Sequence, residues 1–136
     1  MECVTFDLDQ REYKYVVVFS QYQGKLLFSR HRDRTTWETQ GGHIEPGETP
    51  EQAARRELWE ESGAREFTLT PLCGYRAWEE DSGANGVVFL ARIQTLGPLP
   101  QSEMEETRMF DRLPHDLTYP GITPVLWERA KEFFAE

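Results

Sequence analysis

Cysteine, positive charge and long apolar runs are what this chain has least of. Only Cys3 and Cys73 are present. Two isolated thiols make neither a disulfide framework nor a metal site, so a reducing cytoplasm is the expected setting. Lys and Arg number 15 against 24 Asp and Glu, a formal net charge of −9. That sign opposes unaided binding to nucleic acid or to an anionic membrane, since both are held by basic surfaces. It leaves room for a small anionic ligand if a cation bridges it to the carboxylates. No apolar run approaches the ~18 residues that cross a bilayer, and the acidic start MECVTFDLDQ does not read as a signal peptide. Repeats, low-complexity tracts and Pro/Ser linkers are missing too. A single domain is therefore expected over the 136 residues, and 38% hydrophobic residues suffice for a packed core.

What is present is a mixture of strand and helix signals. Residues 13–19 (YKYVVVF) and 25–30 (KLLFSR) are β-branched and aromatic and read as a hairpin about the turn Gln23-Gly24. Residues 31–50 carry Gly41, Gly42, Pro46, Gly47 and Pro50 and read as a loop with room for one short strand. Residues 51–62 (EQAARRELWEES) are strong helix formers, with Thr49 placed to cap, Pro50 suited to the first turn and Gly63 to the end. Strands are expected near 66–78 and 86–93 around a turn at Asp81-Ser82-Gly83, and a short one at 107–110. A last helix is expected over 124–134, with Leu126, Ala130 and Phe133 on one face. The fold class is α+β, with a hairpin-rich sheet rather than a strict βαβ repeat.

Within the first helix three glutamates, Glu57, Glu60 and Glu61, fall in five positions. Wound at about 100° per residue with Glu57 at zero, Glu61 lies near 40° and Glu60 near 300°. Ala53, Ala54, Leu58 and Ala64 share that half, while Arg55, Gln52, Ser62 and Trp59 lie opposite. The acids thus share the half that should face the protein, where a solvated acidic face would sit opposite the apolar stripe. Three partly enclosed carboxylates cannot all stay ionised without nearby positive charge. Arg56 is one such charge and does not serve three. A hard divalent cation such as Mg²⁺, which takes carboxylate oxygens and completes its shell with waters and phosphates, supplies the remainder.

Reading outward gives Gly42, five residues, Glu48, seven residues, then Arg56-Glu57-Leu58-Trp59-Glu60-Glu61-Ser62-Gly63-Ala64. This resembles the signature of the Nudix hydrolases, of the MutT-like kind: all seven fixed letters match over residues 42–64. At ordinary residue frequencies such a match arises about once in 10⁸ registers. Leu58 fills one apolar slot, and Ala64 is a small occupant of the other. The resemblance implies a mixed β-sheet between helices, an α/β/α sandwich in which the signature forms loop-helix-loop. It also implies hydrolysis of a nucleoside diphosphate linked to another group, with metal ions offsetting charge on the bridging oxygens.

Carried over position by position, Glu57 and Glu61 match the main metal ligands, and Glu60 a ligand or water-orienting carboxylate. Glu48 matches the outlying supporting acid, and Arg56 the arginine that holds these carboxylates. The carbonyl of Gly41 matches a frequent further ligand, where glycine lets the backbone approach the ion. Gly42 and Arg30 are expected against substrate; for Arg30, in the basic run SRHRDR, the competing reading is a solvated strand edge. A general base or further ligand is expected downstream. Glu103 is favoured over Glu105, Glu106, Glu79 and Glu80, each of which also reads as a surface acid. Gln40 departs from the family, which often has Pro there, and leaves the shape of the neighbouring substrate wall open. His31 and His43 read as structural, Trp37 and Trp78 as core or base-stacking, and Trp59 as packing or surface.

The resemblance implies a Mg²⁺-dependent pyrophosphohydrolase, with Mn²⁺ a possible substitute. Its first expected substrate is a nucleoside triphosphate, oxidised or not, split to monophosphate and pyrophosphate. Dinucleoside polyphosphates, ADP-ribose and nucleotide sugars are the alternatives. A nucleotide-sensing module without catalysis would show damaged ligands, yet Glu57, Glu60 and Glu61 are all present. An acidic, partner-binding or DNA-mimicking protein accounts for the charge but not for the spacing. The expected partner is thus a small nucleotide rather than nucleic acid or membrane, and the protein a monomer or homodimer.

Overall fold

The computed structural model describes residues 1–134. In chain order its elements are β1 Glu2–Phe6, β2 Tyr15–Tyr22, β3 Lys25–His31, β4 Gln40–His43, α1 Pro50–Ser62, β5 Ala64–Glu79, β6 Ser82–Leu96, β7 Met104–Phe110 and α2 Thr123–Ala130, followed by a 3₁₀ turn at Lys131–Phe133. The strands form one mixed sheet in the order β1-β5-β6-β2-β3-β7, with β4 added on β2. β2 and β6 run parallel at the centre, and the other pairs are antiparallel.

Period-two alternation assigns the two faces of the central strands. Val16, Val18, Val87, Phe89, Ala91 and Ile93 turn toward Ala53, Ala54 and Leu58 of α1. Phe19, Val88 and Leu90 turn the other way, toward Leu126 and Ala130 of α2. The expected sandwich, a mixed sheet between helices, is the observed one.

The forked pairing of β2 positions the site. Its first half, Tyr15 to Val18, pairs with β4, while Ser20 to Tyr22 pair with β3. β3 and β4 therefore diverge, and β4 carries the double glycine toward α1. That helix is delimited as its sequence suggests. Thr49 Oγ1 accepts the Gln52 N–H at 3.2 Å, and Gln52 Oε1 accepts the Thr49 N–H at 2.9 Å, a reciprocal capping box. At the far end Gly63 takes a left-handed φ of 83° and donates its N–H to the Trp59 carbonyl.

Several expected boundaries move. The β5–β6 turn lies at Glu80 and Asp81, not at Asp81-Ser82-Gly83, because Glu79 pairs with Ser82 and Glu80 takes a left-handed φ of 53°. β1 has no counterpart in the sequence reading. The last helix ends at Ala130 and tightens into the 3₁₀ turn, which rotates the expected core residue Phe133 outward to 45% exposure. Phe134 takes the inward place and stacks on Trp127 at 5.9 Å between ring centroids.

Leu58 is fully buried and its neighbour Trp59 is 48% exposed. Leu58→Ala is expected to lower the unfolding free energy by about 3 kcal/mol, and Trp59→Ala by no more than about 0.5 kcal/mol. Urea denaturation of both variants measures this; equal losses would contradict the orientation of α1.

Candidate active site

Arg56 is the hub of the acidic cluster. Its Nε and Nη2 donate to the two oxygens of Glu48 at 2.7 and 2.9 Å, a bidentate pair. Nη1 donates to Glu57 Oε1 at 2.6 Å and lies 3.5 Å from both Glu45 and Glu60. Nη2 also reaches the His43 carbonyl at 3.0 Å, which ties the helix to the end of β4. The Arg56 guanidinium holds Glu48 far below the ordinary carboxylate range, at about 2. Burial raises Glu57, and Arg56 works against that rise.

Glu61 is treated differently. Its Oε1 accepts the Gly41 N–H at 2.8 Å. Among the described residues no ion pair reaches it. Burial pushes its carboxyl up to about 9; the Gly41 N–H opposes this, and the charges of Glu57, Glu38 and Glu103 add to it. The double glycine is a steric requirement of this arrangement. A Cβ on Gly41, at φ 155°, would run into the Val16 carbonyl of β2. A Cβ on Gly42 would lie 2.7 Å from Glu57 Oε2.

Beside this cluster opens a cleft of about 750 Å³. Gly41, Gly42, His43, Glu61 and Glu103 are on its wall, with Arg34 and Glu38 from the loop after β3 and Trp78 and Ala84 from the β5–β6 hairpin. Of the downstream acids, Glu103 therefore borders the same cleft as Glu61, and its Oε2 is 3.5 Å from His31 Nε2. Glu79 lines the cleft near the N-terminal amine, 3.7 Å away. Glu105 is solvent-exposed, and Glu80 sits in the hairpin turn. Glu106 is taken up by Arg30 and Arg108.

Arg30 is not on the cleft wall: its Nη2 donates to Glu106 on β7 at 3.2 Å and its Nη1 to the Arg34 carbonyl at 3.1 Å. The cleft arginine is Arg34, whose Nη1 donates to the buried Glu38 at 3.2 Å. In the sequence it closes the same basic run, SRHRDR, four residues before Glu38. Gln40 does not shape the cleft wall either; it is fully buried, with its amide turned between β2 and β3. Trp37 belongs to the core beside Phe110, whereas Trp78 reaches the cleft.

Among the described residues no three acidic, His or Cys side chains converge as a ready-made coordination shell. The donor set still fits a hard divalent cation. It offers carboxylate oxygens on one helix, the Gly41 backbone held against Glu61 through its N–H, and at Glu61 a partly buried carboxylate with no cationic partner among the described residues. Such a set matches Mg²⁺, which keeps several waters, better than an ion that needs a closed protein cage.

A Glu61 carboxyl raised to about 9 stabilises the fold fully below its ordinary value of 4.5. That stabilisation is lost progressively as pH rises from 4.5 toward 9, by an upper limit of about 3 kcal/mol at pH 7. Glu57, also raised, acts in the same direction. Glu48, lowered to about 2, contributes above 4.5 and loses its effect only toward strong acid. In EDTA, the melting temperature should therefore fall between pH 5 and pH 8, and Glu61→Gln should flatten the fall. A profile that is the same in wild type and variant would contradict the burial of this carboxylate.

A profile of the NUDIX domain matches residues 11–132. The chain is 35% identical over 108 residues to a putative 8-oxo-dGTP diphosphatase, YtkD, of Bacillus subtilis, across 77% of this chain and 66% of that protein. It is 40% identical over 62 residues to an RNA pyrophosphohydrolase of Yersinia enterocolitica, across 46% of this chain and 35% of that protein. The match thus spans about two thirds of the first relative and about a third of the second. The crystal structure of a point mutant of the Bacillus subtilis pyrophosphohydrolase BsRppH superposes with a TM-score of 0.79 at 28% identity, over 96% of this chain and 90% of that one. With the double glycine, the capped helix and its acidic cluster in place on this sheet, the chain belongs to the NUDIX domain family.

Proposed function

We propose that this protein is a Mg²⁺-dependent pyrophosphohydrolase that converts a nucleoside triphosphate, normal or oxidised, to the monophosphate and pyrophosphate. The observation that carries the reading is Glu61: a partly buried carboxylate with no cationic partner among the described residues, on the wall of a cleft that also holds Arg34 and is large enough for a nucleotide. The names of the relatives, an 8-oxo-dGTP diphosphatase and pyrophosphohydrolases, support the reaction class. No described helix is long and apolar enough to cross a membrane. The protein so read is a single-domain cytoplasmic enzyme, monomer or homodimer, acting on a small nucleotide.

In this reading Glu57, Glu61 and the Gly41 carbonyl hold the cation, Mg²⁺ or in its place Mn²⁺. Glu48 and Arg56 keep Glu57 and Glu60 in place. When bound, the ion neutralises charge on the phosphate oxygens and lowers the pKa of water. Glu60 and Glu103 are the carboxylates available to orient the attacking water and accept its proton. Arg34, held by Glu38, presents a guanidinium to the phosphates, and Gly42 leaves the substrate room beside the carboxylates. Trp78 offers a face for the base.

The relatives named RNA pyrophosphohydrolases favour a second substrate, the 5′-triphosphate end of RNA. The charge of −9 disfavours extended contact with an RNA backbone, so the free nucleotide comes first.

A panel of canonical and 8-oxo nucleoside triphosphates, diadenosine polyphosphates, ADP-ribose, nucleotide sugars and 5′-triphosphate RNA, resolved by chromatography with and without Mg²⁺, tests this. Pyrophosphate release from a free triphosphate is the expected result, falling about 10²-fold or more in Glu57→Gln. Arg34→Ala should raise KM about tenfold with a smaller change in kcat, and Arg30→Ala should do less. Turnover of the RNA end alone would replace the first substrate with the second. Turnover of nothing would overturn the enzymatic reading.

A further inference from the structure

Where β3 and β4 diverge from β2, three polar side chains meet in the interior. Ser20 and Ser29 are 1% and 0% exposed and Gln40 is 0% exposed, yet every buried polar side-chain atom among the described residues has a partner. Ser20 Oγ lies 2.6 Å from Gln40 Oε1. Gln40 Nε2 donates to the Leu27 carbonyl at 3.2 Å and to Ser29 Oγ at 2.9 Å. Ser29 Oγ donates to the Glu61 carbonyl at 2.8 Å.

The orientation of the chain follows from its ends. The Leu27 carbonyl only accepts, so the amide nitrogen of Gln40 must face it. The Glu61 carbonyl also only accepts, so Ser29 spends its one proton there and must receive from Gln40. Ser20 then donates to Gln40 Oε1. The bonds along the chain run one way, from Ser20 on β2 through Gln40 and Ser29 to the end of α1, with a branch from Gln40 to the Leu27 carbonyl, an arrangement in which each bond polarises the next.

What lies at the two ends of Gln40 gives the network its significance. Through the backbone, Gln40 is bonded to Gly41, whose N–H holds the Glu61 carboxylate at 2.8 Å. Through Ser29 it reaches the backbone carbonyl of the same Glu61, one of the carbonyls that a helix end leaves without an intrahelical partner. Glu61 is thus gripped twice, at side chain and main chain, and both grips lead back to Gln40. A core position that needed only volume could be filled by an apolar residue; here a fully buried amide finds a partner for both its oxygen and its nitrogen at the base of the acidic cluster.

We propose that Gln40 and Ser29 are positioning residues: by fixing the Gly41 backbone relative to the end of α1, they set the separation of the Gly41 carbonyl and the Glu61 carboxylate, and with it the affinity for the divalent cation. The inference rests on the metal-dependent reading above. Groups one bond removed from a metal's ligands characteristically change its affinity 10- to 100-fold.

Mn²⁺ binding to the whole protein, measured by electron paramagnetic resonance without substrate, tests it. Ser29→Ala and Gln40→Met should each weaken Mn²⁺ about tenfold, and the double variant should lose little more than either alone, because both cut the same chain. Ser29→Thr, which keeps the hydroxyl, should recover most of the affinity. Ser62→Ala is the structural control. Ser62 is equally buried at the same helix end, but its Oγ bonds the Leu58 carbonyl and the Ala64 N–H rather than Glu61 or Gly41. It should lower the melting temperature and leave Mn²⁺ affinity unchanged. Should Gln40→Met fail to fold, Ser29→Ala, which removes a single oxygen, decides. Melting temperatures that fall with Mn²⁺ affinity intact in Ser29→Ala would reduce the network to core packing and overturn the proposal while leaving the metal reading standing. A wild type that binds no Mn²⁺ would overturn both.

Discussion

One guanidinium stands among more carboxylates than it can neutralise, and the local structure follows from that shortage. Arg56 closes a bidentate pair with Glu48 and a short bond with Glu57, with Glu45 and Glu60 at the edge of its reach. Among the described residues nothing cationic is left for Glu61, which is partly buried and whose carboxylate accepts a backbone N–H. Isolated buried charge is costly enough that such a group either takes up a proton or awaits a cation. The strong pair at Glu48 and the poor one at Glu61 are two ends of one distribution of charge. One end is stable without help, and the other depends on what binds in the cleft.

Several unrelated features of the fold serve this cluster. The fork of β2 sends β4 toward the helix, and the double glycine lets β4 approach Glu57 and Val16 within distances that a methyl group would forbid. The capping box at Thr49 fixes the start of α1, and Gly63 fixes its end beneath the carbonyls of Gly97 and Pro98, where a Cβ would lie 2.7 and 2.5 Å from them. Between these limits the helix phase is set by Ala53, Ala54 and Leu58 in the core. Small residues on that face bring the helix close to the sheet, and the glutamates on its flank are carried inward with it.

The sequence made the helix legible because its signals are local. Thr49, Pro50, Gly63 and the 3.6-residue spacing act over a few residues, and α1 spans Pro50–Ser62 much as they indicate. The strand pairs were legible for the same reason, through β-branched runs and the turn at Gln23 and Gly24, both at positive φ. What was not legible depends on partners far along the chain. Arg30 looked free until β7 brought Glu106 beside it, and Arg34 looked like an ordinary surface charge until the loop turned it against Glu38. Gln40 leaves the shape of the cleft wall open in the sequence; its burial follows from the divergence of β3 and β4, which no window of adjacent residues reports. Phe133 was misplaced because the final turn tightens to 3₁₀ and breaks the period on which the reading relied. Ser62 was placed on the outer half of the wheel, but it is buried because the helix ends against the chain that follows.

The proposed metal site turns on a divalent cation that makes up the charge missing at Glu61. Its most direct test is a crystal structure with Mn²⁺, located by anomalous scattering. A peak is expected about 2.1 Å from carboxylate oxygens of Glu57 and Glu61 and from the Gly41 carbonyl, with waters completing the shell. A peak elsewhere in the cleft, or saturating Mn²⁺ with no peak at Glu61, would contradict it.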